Sequence, residues 1–393
     1  MLEYSKYKSF LHDKSNNLII NRFFTSFGIA LFSVVPSLYL SELGLSDGQI
    51  GIVTSLMVLF IILITGFQTI LYEKFDEVKI FLSTFIIYSI ILLGLILVKG
   101  LYVFIIGLFF ILIMDNLRSN IFSILFRDVT KKKEFTRKES IMYAILNIGW
   151  FAGPFMGGIL LENYGYNFIF TTIILFMLCA FISGLLAKIR VKKNFDGRKD
   201  YNILSNIKGF YHNKDFVNSY IVSFSSNFWY SLIFAFMPLF IVANGFGASY
   251  VGFFIAATQL PLVFIQLRLD YFIKKFGSRK LVTTSYFVLT IVMLLMFLFP
   301  SVYLAFILFT FSAIFLGFLE PTREILFFKY AKSNEEEKYA PIYRSSFDIS
   351  RLLGRFSIGI VLLVLPFKFA FLLVGIVMFL TFLRTFSIKN FYN

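Results

Sequence analysis

The sequence predicts an all-α membrane protein with twelve transmembrane helices in two pseudo-symmetric six-helix bundles. Three observations carry this expectation. The chain has 393 residues, of which 58% are hydrophobic and 15% charged, with a mean hydropathy of +0.81; soluble domains are about 25% charged. Its apolar residues fall in twelve runs of about 20 residues, the length that crosses a bilayer as helix. Finally, the second half resembles the first at a shift of 200 to 202 residues: Pro36 with Pro238, Gly44 with Gly245, Gly51 with Gly252, Phe75 with Phe276, Gly153 with Gly354, Gly158 with Gly359, Phe168 with Phe369 and Phe170 with Phe371. A near-constant offset over most of each half reads as a duplicated unit.

The runs lie at 18–41, 49–72, 79–98, 101–126, 141–161 and 168–188, then at 216–241, 250–272, 281–299, 303–328, 342–364 and 369–387. They are too long for barrel strands and do not alternate as strands would. Residues 188–215 form the longest polar segment and carry eight Lys/Arg. Residues 1–187 are therefore expected to form the first bundle, 188–215 a basic linker and 216–393 the second bundle. Before each bundle, Tyr4, Tyr7, Phe10 and Leu11, and again Tyr201, Leu204, Ile207 and Tyr211, are spaced for an amphipathic lead-in along the membrane surface. The first run is too long for a signal h-region and no small-residue cleavage site follows it, so it reads as a spanning helix.

Charge orients the chain. With the N-terminus in the cytoplasm, 29 Lys/Arg fall in cytoplasmic segments and two, Lys99 and Lys368, on the other side. This positive-inside bias predicts a multi-pass cell-membrane protein with both termini and the linker in the cytoplasm. It also accounts for the net charge of +15 without nucleic acid, since no extramembrane domain is predicted to bind one. The single cysteine, Cys179, is expected to pack. His12 and His212 have no neighbouring ligands, so no metal is expected. There is no HExxH, P-loop or nucleophile elbow, and no enzyme is expected.

Gly149, Gly153 and Gly157 are four apart and share one helix face, where a neighbouring backbone can approach closely. Pro154 bends that helix. The whole string, Gly149-Trp150-Phe151-Ala152-Gly153-Pro154-Phe155-Met156-Gly157-Gly158, resembles the GxxxGPxxGG signature of the drug:proton antiporter branch of the major facilitator superfamily. In that family the motif lies against helix 8. The segment Lys274-Lys275-Phe276-Gly277-Ser278-Arg279-Lys280 is similar to the family's helix 2–3 loop, GxxxDRxGRR, with Asp270 in the place of its first glycine. The loop at Glu73 and Lys74 keeps an acid and a base. These loops, with Glu73, Lys74, Asp270, Lys275, Gly277 and Arg279, would be cytoplasmic gates. The resemblance implies two bundles around a central cavity, alternating access and a cavity lined by helices 1, 4, 7 and 10.

Charges inside the runs are the remaining signal. At mid-bilayer each costs about 2.5–3.5 kcal/mol on insertion scales, so such residues face the protein interior. Asp115–Arg118, Glu320–Arg323 and Asp348–Arg351 are spaced i,i+3 and can neutralise one another. Asp115, Glu320 and Asp348 are the proton-coupling candidates, Asp115 foremost. Low dielectric favours a neutral carboxyl and an adjacent guanidinium a charged one, so proton and substrate could compete there. Arg118 matches the branch's helix 4 arginine, with Phe122 in the place of its glycine. Arg118, Arg323, Arg355, Asn227, Trp229, Tyr230, Thr25 and Ser26 are the substrate-cavity candidates. The reading is a monomeric secondary transporter, a proton-coupled exporter of small amphipathic molecules, with a proton gradient and no cofactor. Uptake of an anionic or other polar metabolite by symport or uniport is the alternative, and a non-transporting membrane sensor is a third reading.

Overall fold

A computed structural model describes residues 13–131, 133–189, 203–331 and 333–389. Among these residues all regular structure is helical: α1 Lys14–Phe32, α2 Val35–Glu42, α3 Asp47–Lys74, α4 Glu77–Leu97, α5 Leu101–Val129 and α6 Phe135–Leu186. There follow α7 Ile203–His212, α8 Lys214–Ser231, a π-helical turn Leu232–Phe236, α9 Met237–Ala243, α10 Ala248–Leu267, α11 Leu269–Phe276, α12 Ser278–Leu298, α13 Val302–Tyr330, α14 Ser333–Val364 and α15 Lys368–Thr385. Residues Tyr4, Tyr7, Phe10, Leu11, His12 and Tyr201 lie outside the described residues.

Two helix pairs match in length at the offset seen in the sequence. The helices α4 and α12 both have 21 residues, and α5 and α13 both have 29. Both repeats also interrupt their first long helix just before a proline. Pro36 sits in the first turn of α2 and Pro238 in the first turn of α9. Proline has no N–H to donate to the preceding turn, so the helix must restart there or widen into a π-turn.

Nine helices among the described residues are long and apolar enough to cross a membrane. The other expected runs fall where helix continuity and apolar runs disagree. In α6 two expected runs form one helix of 52 residues, interrupted only by Gly165 at φ 76°, a left-handed conformation natural to glycine. The helix α10 is apolar from Ala248 to Leu267, and Arg268 separates it from α11. The helix α14 carries the charges at Asp348, Arg351 and Arg355. Large apolar side chains such as Ile90, Tyr102, Leu175, Ile307 and Leu380 are exposed along the helices, the surface that hydrocarbon covers in a chain of this kind. Cys179 belongs to that exposed surface and does not pack inside the protein as expected.

The chain divides into two compact units. One comprises Met1–Gly44, Leu59–Asn194 and Phe246–Ala256; the other comprises Leu45–Val58, Phe195–Gly245 and Ala257–Asn393. In the second unit α7 docks through Phe210, which is fully buried against Phe216, Tyr220 and Tyr339. Its Ile207 and Tyr211 remain exposed.

The first helix of each repeat is tethered at its polar end. Asp13 caps α1, accepting from the Ser15 amide at 2.9 Å and from Lys138 Nζ at 2.5 Å. Asn213 caps α8, and Asp215 beside it accepts from Lys389 Nζ at 2.5 Å. Burial pushes the Asp13 carboxyl up, but hydrogen bonds from Lys138 and Ser15 outweigh it and leave it below the usual carboxylate range. A lowered folded-state value means the stabilisation is present above the unfolded carboxylate pKa of about 3.9 and is lost as pH falls through the folded value. Asp13→Asn is therefore expected to lower the melting temperature at pH 7, and the difference from wild type to shrink as pH falls through the folded carboxyl value; thermal melts in detergent at pH 7 and along an acid series check this.

Candidate functional site

The first unit holds a charged cluster on α1, α4 and α5. Asp115 and Arg118 lie one turn apart on α5 and form a salt bridge, with the Arg118 side chain 2% exposed and that of Asp115 21%. The Arg118 guanidinium lies over two rings of α4, 5.1 Å from the Phe85 centroid and 5.2 Å from that of Tyr88, and contacts Met177 Sδ at 3.7 Å. Cation–π faces and one carboxylate replace the water that such a cation would otherwise require. Arg22 of α1 lies 5.0 Å from the Phe122 ring, and its buried Nε has no hydrogen-bond partner among the described residues. The position taken by Phe122, where the resemblance would place glycine, is thus the platform for a second arginine.

Beside this cluster is an amide network that a search for charge passes over. Asn116 Oδ1 accepts from Gln68 Nε2 at 2.5 Å, from Thr65 Oγ1 at 3.2 Å and from Asn120 Nδ2 at 3.2 Å. Gln68 Oε1 accepts from Asn120 at 2.8 Å and from the Tyr72 hydroxyl at 3.1 Å. The signal available in the sequence was the i,i+4 pair Asn116 and Asn120 inside an apolar run. Thr25 and Ser26 are buried in α1. Thr25 donates towards Asn21, and Ser26 fills the space above Gly149. Both are engaged within the helix packing.

The second unit arranges its charges differently. Glu320 of α13 accepts from the Tyr230 hydroxyl at 2.8 Å. Arg323, one turn on, donates to Ser226 Oγ at 2.7 Å and lies 4.8 Å from the Phe347 ring centroid. Ser223 binds Ser346 at 2.8 Å, and its carbonyl accepts from Asn227 at 2.8 Å. Trp229 is fully buried, 5.2 Å from the Phe309 ring. Thus Tyr230, Glu320 and Arg323 come together, whereas Asn227 and Trp229 are taken up by packing. Among the described residues no salt bridge joins Asp348 to Arg351, and the Nε atoms of Arg323 and Arg355 are buried without hydrogen-bond partners.

The glycine string divides between two neighbours. A Cβ at Gly149 would lie 2.8 Å from Ser26 Oγ, one at Gly153 would overlap Ala30, and one at Gly157 would lie 2.8 Å from the Leu31 carbonyl. That face packs on α1. Gly158, the Pro154 carbonyl and Phe155 meet α10: a Cβ at Gly158 would lie 3.0 Å from Gly252 Cα, one at Gly252 would overlap the Pro154 carbonyl, and the Phe155 ring lies 6.3 Å from that of Phe253. The expected placement against helix 8 therefore holds for one edge of the motif, and the three glycines at fourfold spacing serve a contact inside the repeat. The second unit repeats the pattern: a Cβ at Gly354 would lie 2.7 Å from Ser231 Oγ, and one at Gly359 would lie 3.1 Å from Gly51 Cα.

The loop residues are placed more simply. Lys74 closes α3, and Asp76 caps α4 by accepting from the Lys79 amide at 3.0 Å. Lys275 lies over the rings of Tyr271 and Phe276, Gly277 turns the chain at φ 79°, and Arg279 lies in the first turn of α12. The side chains of Glu73 and Asp270 lie outside the described residues.

Residues 18–274 and 219–391 match the family model of the Major Facilitator Superfamily. An uncharacterized MFS-type transporter of Methanocaldococcus jannaschii is 27% identical over 150 residues, 35% of this chain and 36% of that protein, so this match spans about a third of the relative. Among solved structures, the POT family transporter PepTSo superposes with a TM-score of 0.77 at 12% identity, covering 95% of this chain and 97% of that one. The nucleoside transporter NupG gives 0.74 at 14% identity, covering 96% and 100%. A bacterial homologue of the human lysosomal transporter Spinster gives 0.73 at 12% identity, covering 96% and 97%. At such identities the likeness is one of fold.

Gly153→Leu is expected to force α6 away from α1 and to lower stability by roughly 1–3 kcal/mol or more. Gly94→Leu, where nothing lies within 4 Å of an added Cβ, serves as the tolerated control. Unfolding of both purified variants, followed by circular dichroism, measures the difference.

Proposed function

The chain belongs to the major facilitator superfamily, a family of transporters and not of enzymes, and on that premise we propose that it is a proton-coupled secondary transporter exporting small amphipathic molecules. Its fold is of the secondary-transporter kind and is consistent with alternating access. In this proposal twelve spans form two six-helix bundles, residues 1–187 and 216–393, joined by the basic linker 188–215. Both termini lie in the cytoplasm, as the Lys/Arg bias favours.

The observation that carries the coupling reading is the Asp115–Arg118 pair. Its arginine is enclosed by Phe85 and Tyr88, while its carboxylate keeps partial exposure. A proton arriving at Asp115 neutralises the carboxylate and leaves the Arg118 cation uncompensated, which is costly in a low-dielectric surrounding. Proton arrival and departure thereby change the energy of the buried cluster, including nearby Arg22. Glu320 with Tyr230 provides a second protonatable group in the other unit, and Asp348 a third. Tyr230, Arg323 and Arg355 are the substrate-contact candidates in that unit. The uptake reading, with an anionic substrate, is favoured by the Nε atoms of Arg22, Arg323 and Arg355, which are buried without hydrogen-bond partners among the described residues.

Proteoliposomes with an imposed pH gradient separate the readings. Substrate efflux is expected only with inward proton flow, and Asp115→Asn is expected to abolish this coupling while leaving the protein folded and substrate exchange measurable. Wild-type pH dependence in Asp115→Asn would remove Asp115 from the coupling step. Gradient-driven accumulation of an organic anion would favour uptake.

A further inference from the structure

The second unit contains a cleft unrelated to the charged cluster. It lies between α11, α12 and α13 and has a volume of about 230 Å³. Its walls include Phe272, Phe276, Thr284, Phe315 and Phe318, with Lys280 at its edge. The rings form a continuous surface: Phe272 meets Phe318 edge-on at 5.0 Å, Phe318 lies 6.3 Å from Phe315, and Phe315 lies 5.4 Å from the exposed Phe311 one turn along α13. The apolar floor thus runs out of the cleft onto the helix surface that faces hydrocarbon.

The mouth has the opposite character. Lys280 Nζ lies 5.9 Å and Lys275 Nζ 5.4 Å from the Phe276 centroid, and Lys275 also receives the Tyr271 ring at 5.5 Å. Lys274 and Lys275 close α11, Lys280 opens α12 and Lys329 closes α13, so all four occupy the same end of these helices. The cleft is smaller than the roughly 300–1,000 Å³ pockets that enclose small-molecule ligands. It is apolar along its length and cationic at one end only. A narrow hydrocarbon chain carrying an anionic head has that distribution, and basic pockets between membrane helices bind such heads.

We propose that this cleft binds one anionic phospholipid, with an acyl chain along Phe318, Phe315 and Phe311 and the phosphate held by Lys275 and Lys280. Lys280 and Lys275 supply charge and selectivity, and the aromatic floor supplies the apolar contact that a free phosphate could not use.

The experiment uses the full-length protein, purified in detergent and stripped of lipid, then titrated with phosphatidylglycerol or phosphatidylcholine of identical chains and followed by native mass spectrometry. Retention of one phosphatidylglycerol, roughly tenfold over phosphatidylcholine, is expected. Lys275→Ala/Lys280→Ala should lose that preference, and Lys275→Arg/Lys280→Arg should keep it. Thr284→Trp fills the cleft while leaving both lysines, and should lose retention of the lipid. Each variant is first shown to be monodisperse and helical. Inorganic phosphate alone should leave the melting temperature unchanged. Equal retention of the two lipids, unchanged retention in both the alanine and the tryptophan variants, or a phosphate effect equal to that of lipid would each overturn the proposal.

Discussion

The cost of charge in hydrocarbon governs how this protein is built. Arg118 is nearly inaccessible, yet it is a cation on a helix expected to cross the bilayer. It is tolerated because Asp115 lies one turn away and because the rings of Phe85 and Tyr88 lie within cation–π distance of the guanidinium. These partners come from two helices, so the arginine holds α4 against α5 and ties their facing surfaces to one arrangement. Arg22 adds α1 through Phe122. In the second unit the same constraint is met with hydroxyls: Tyr230 for Glu320, Ser226 for Arg323, and the Phe347 ring beneath the guanidinium. The two repeats thus share a backbone plan and differ in how they keep ionised groups inside it.

Backbone contact is the second organising element. Helices in a bilayer gain little from burying apolar side chains against each other, because lipid is equally apolar; small residues that allow close approach take over that role. The pairs Gly158–Gly252 and Gly51–Gly359 occupy matching places in the two units. At the adjoining helix end the units diverge. Glu162 reaches over Gly247 and accepts from the Ser249 amide at 2.6 Å, satisfying an N–H that the first turn of α10 would leave without an intrahelical partner. In the other unit Leu363 lies over Gly48. One helix end is held by a charge-assisted hydrogen bond and its counterpart by apolar contact, an asymmetry that the duplication alone does not require.

Much of the architecture was legible in the residue pattern because the relevant rules are one-dimensional. A bilayer imposes a length, so apolar runs locate helices. A duplicated chain leaves paired glycines and prolines at a near-constant offset, and Pro36 and Pro238 each follow a helix break, a short turn in one case and a π-helical turn in the other. The i,i+3 spacing of Asp115 and Arg118 was enough to bring them together, since both sit on one helix. The same spacing did not decide the partners of Glu320 and Arg323, because Tyr230 and Ser226 belong to another helix and offer alternatives that no local rule contains. The glycine string shows the same limit: fourfold spacing established that Gly149, Gly153 and Gly157 share a face, but which neighbour filled it depended on where α1 lay.

The sequence by itself determined the helical class and the identity of the buried charges, because these follow from transfer energies and periodicity along a single chain. Only the tertiary structure decided which side chains meet: the rings around Arg118, the amide network of Gln68 and Asn116, and the division of the glycine motif between α1 and α10. Those contacts join residues far apart in the chain, and their partners are chosen by three-dimensional packing rather than by sequence spacing.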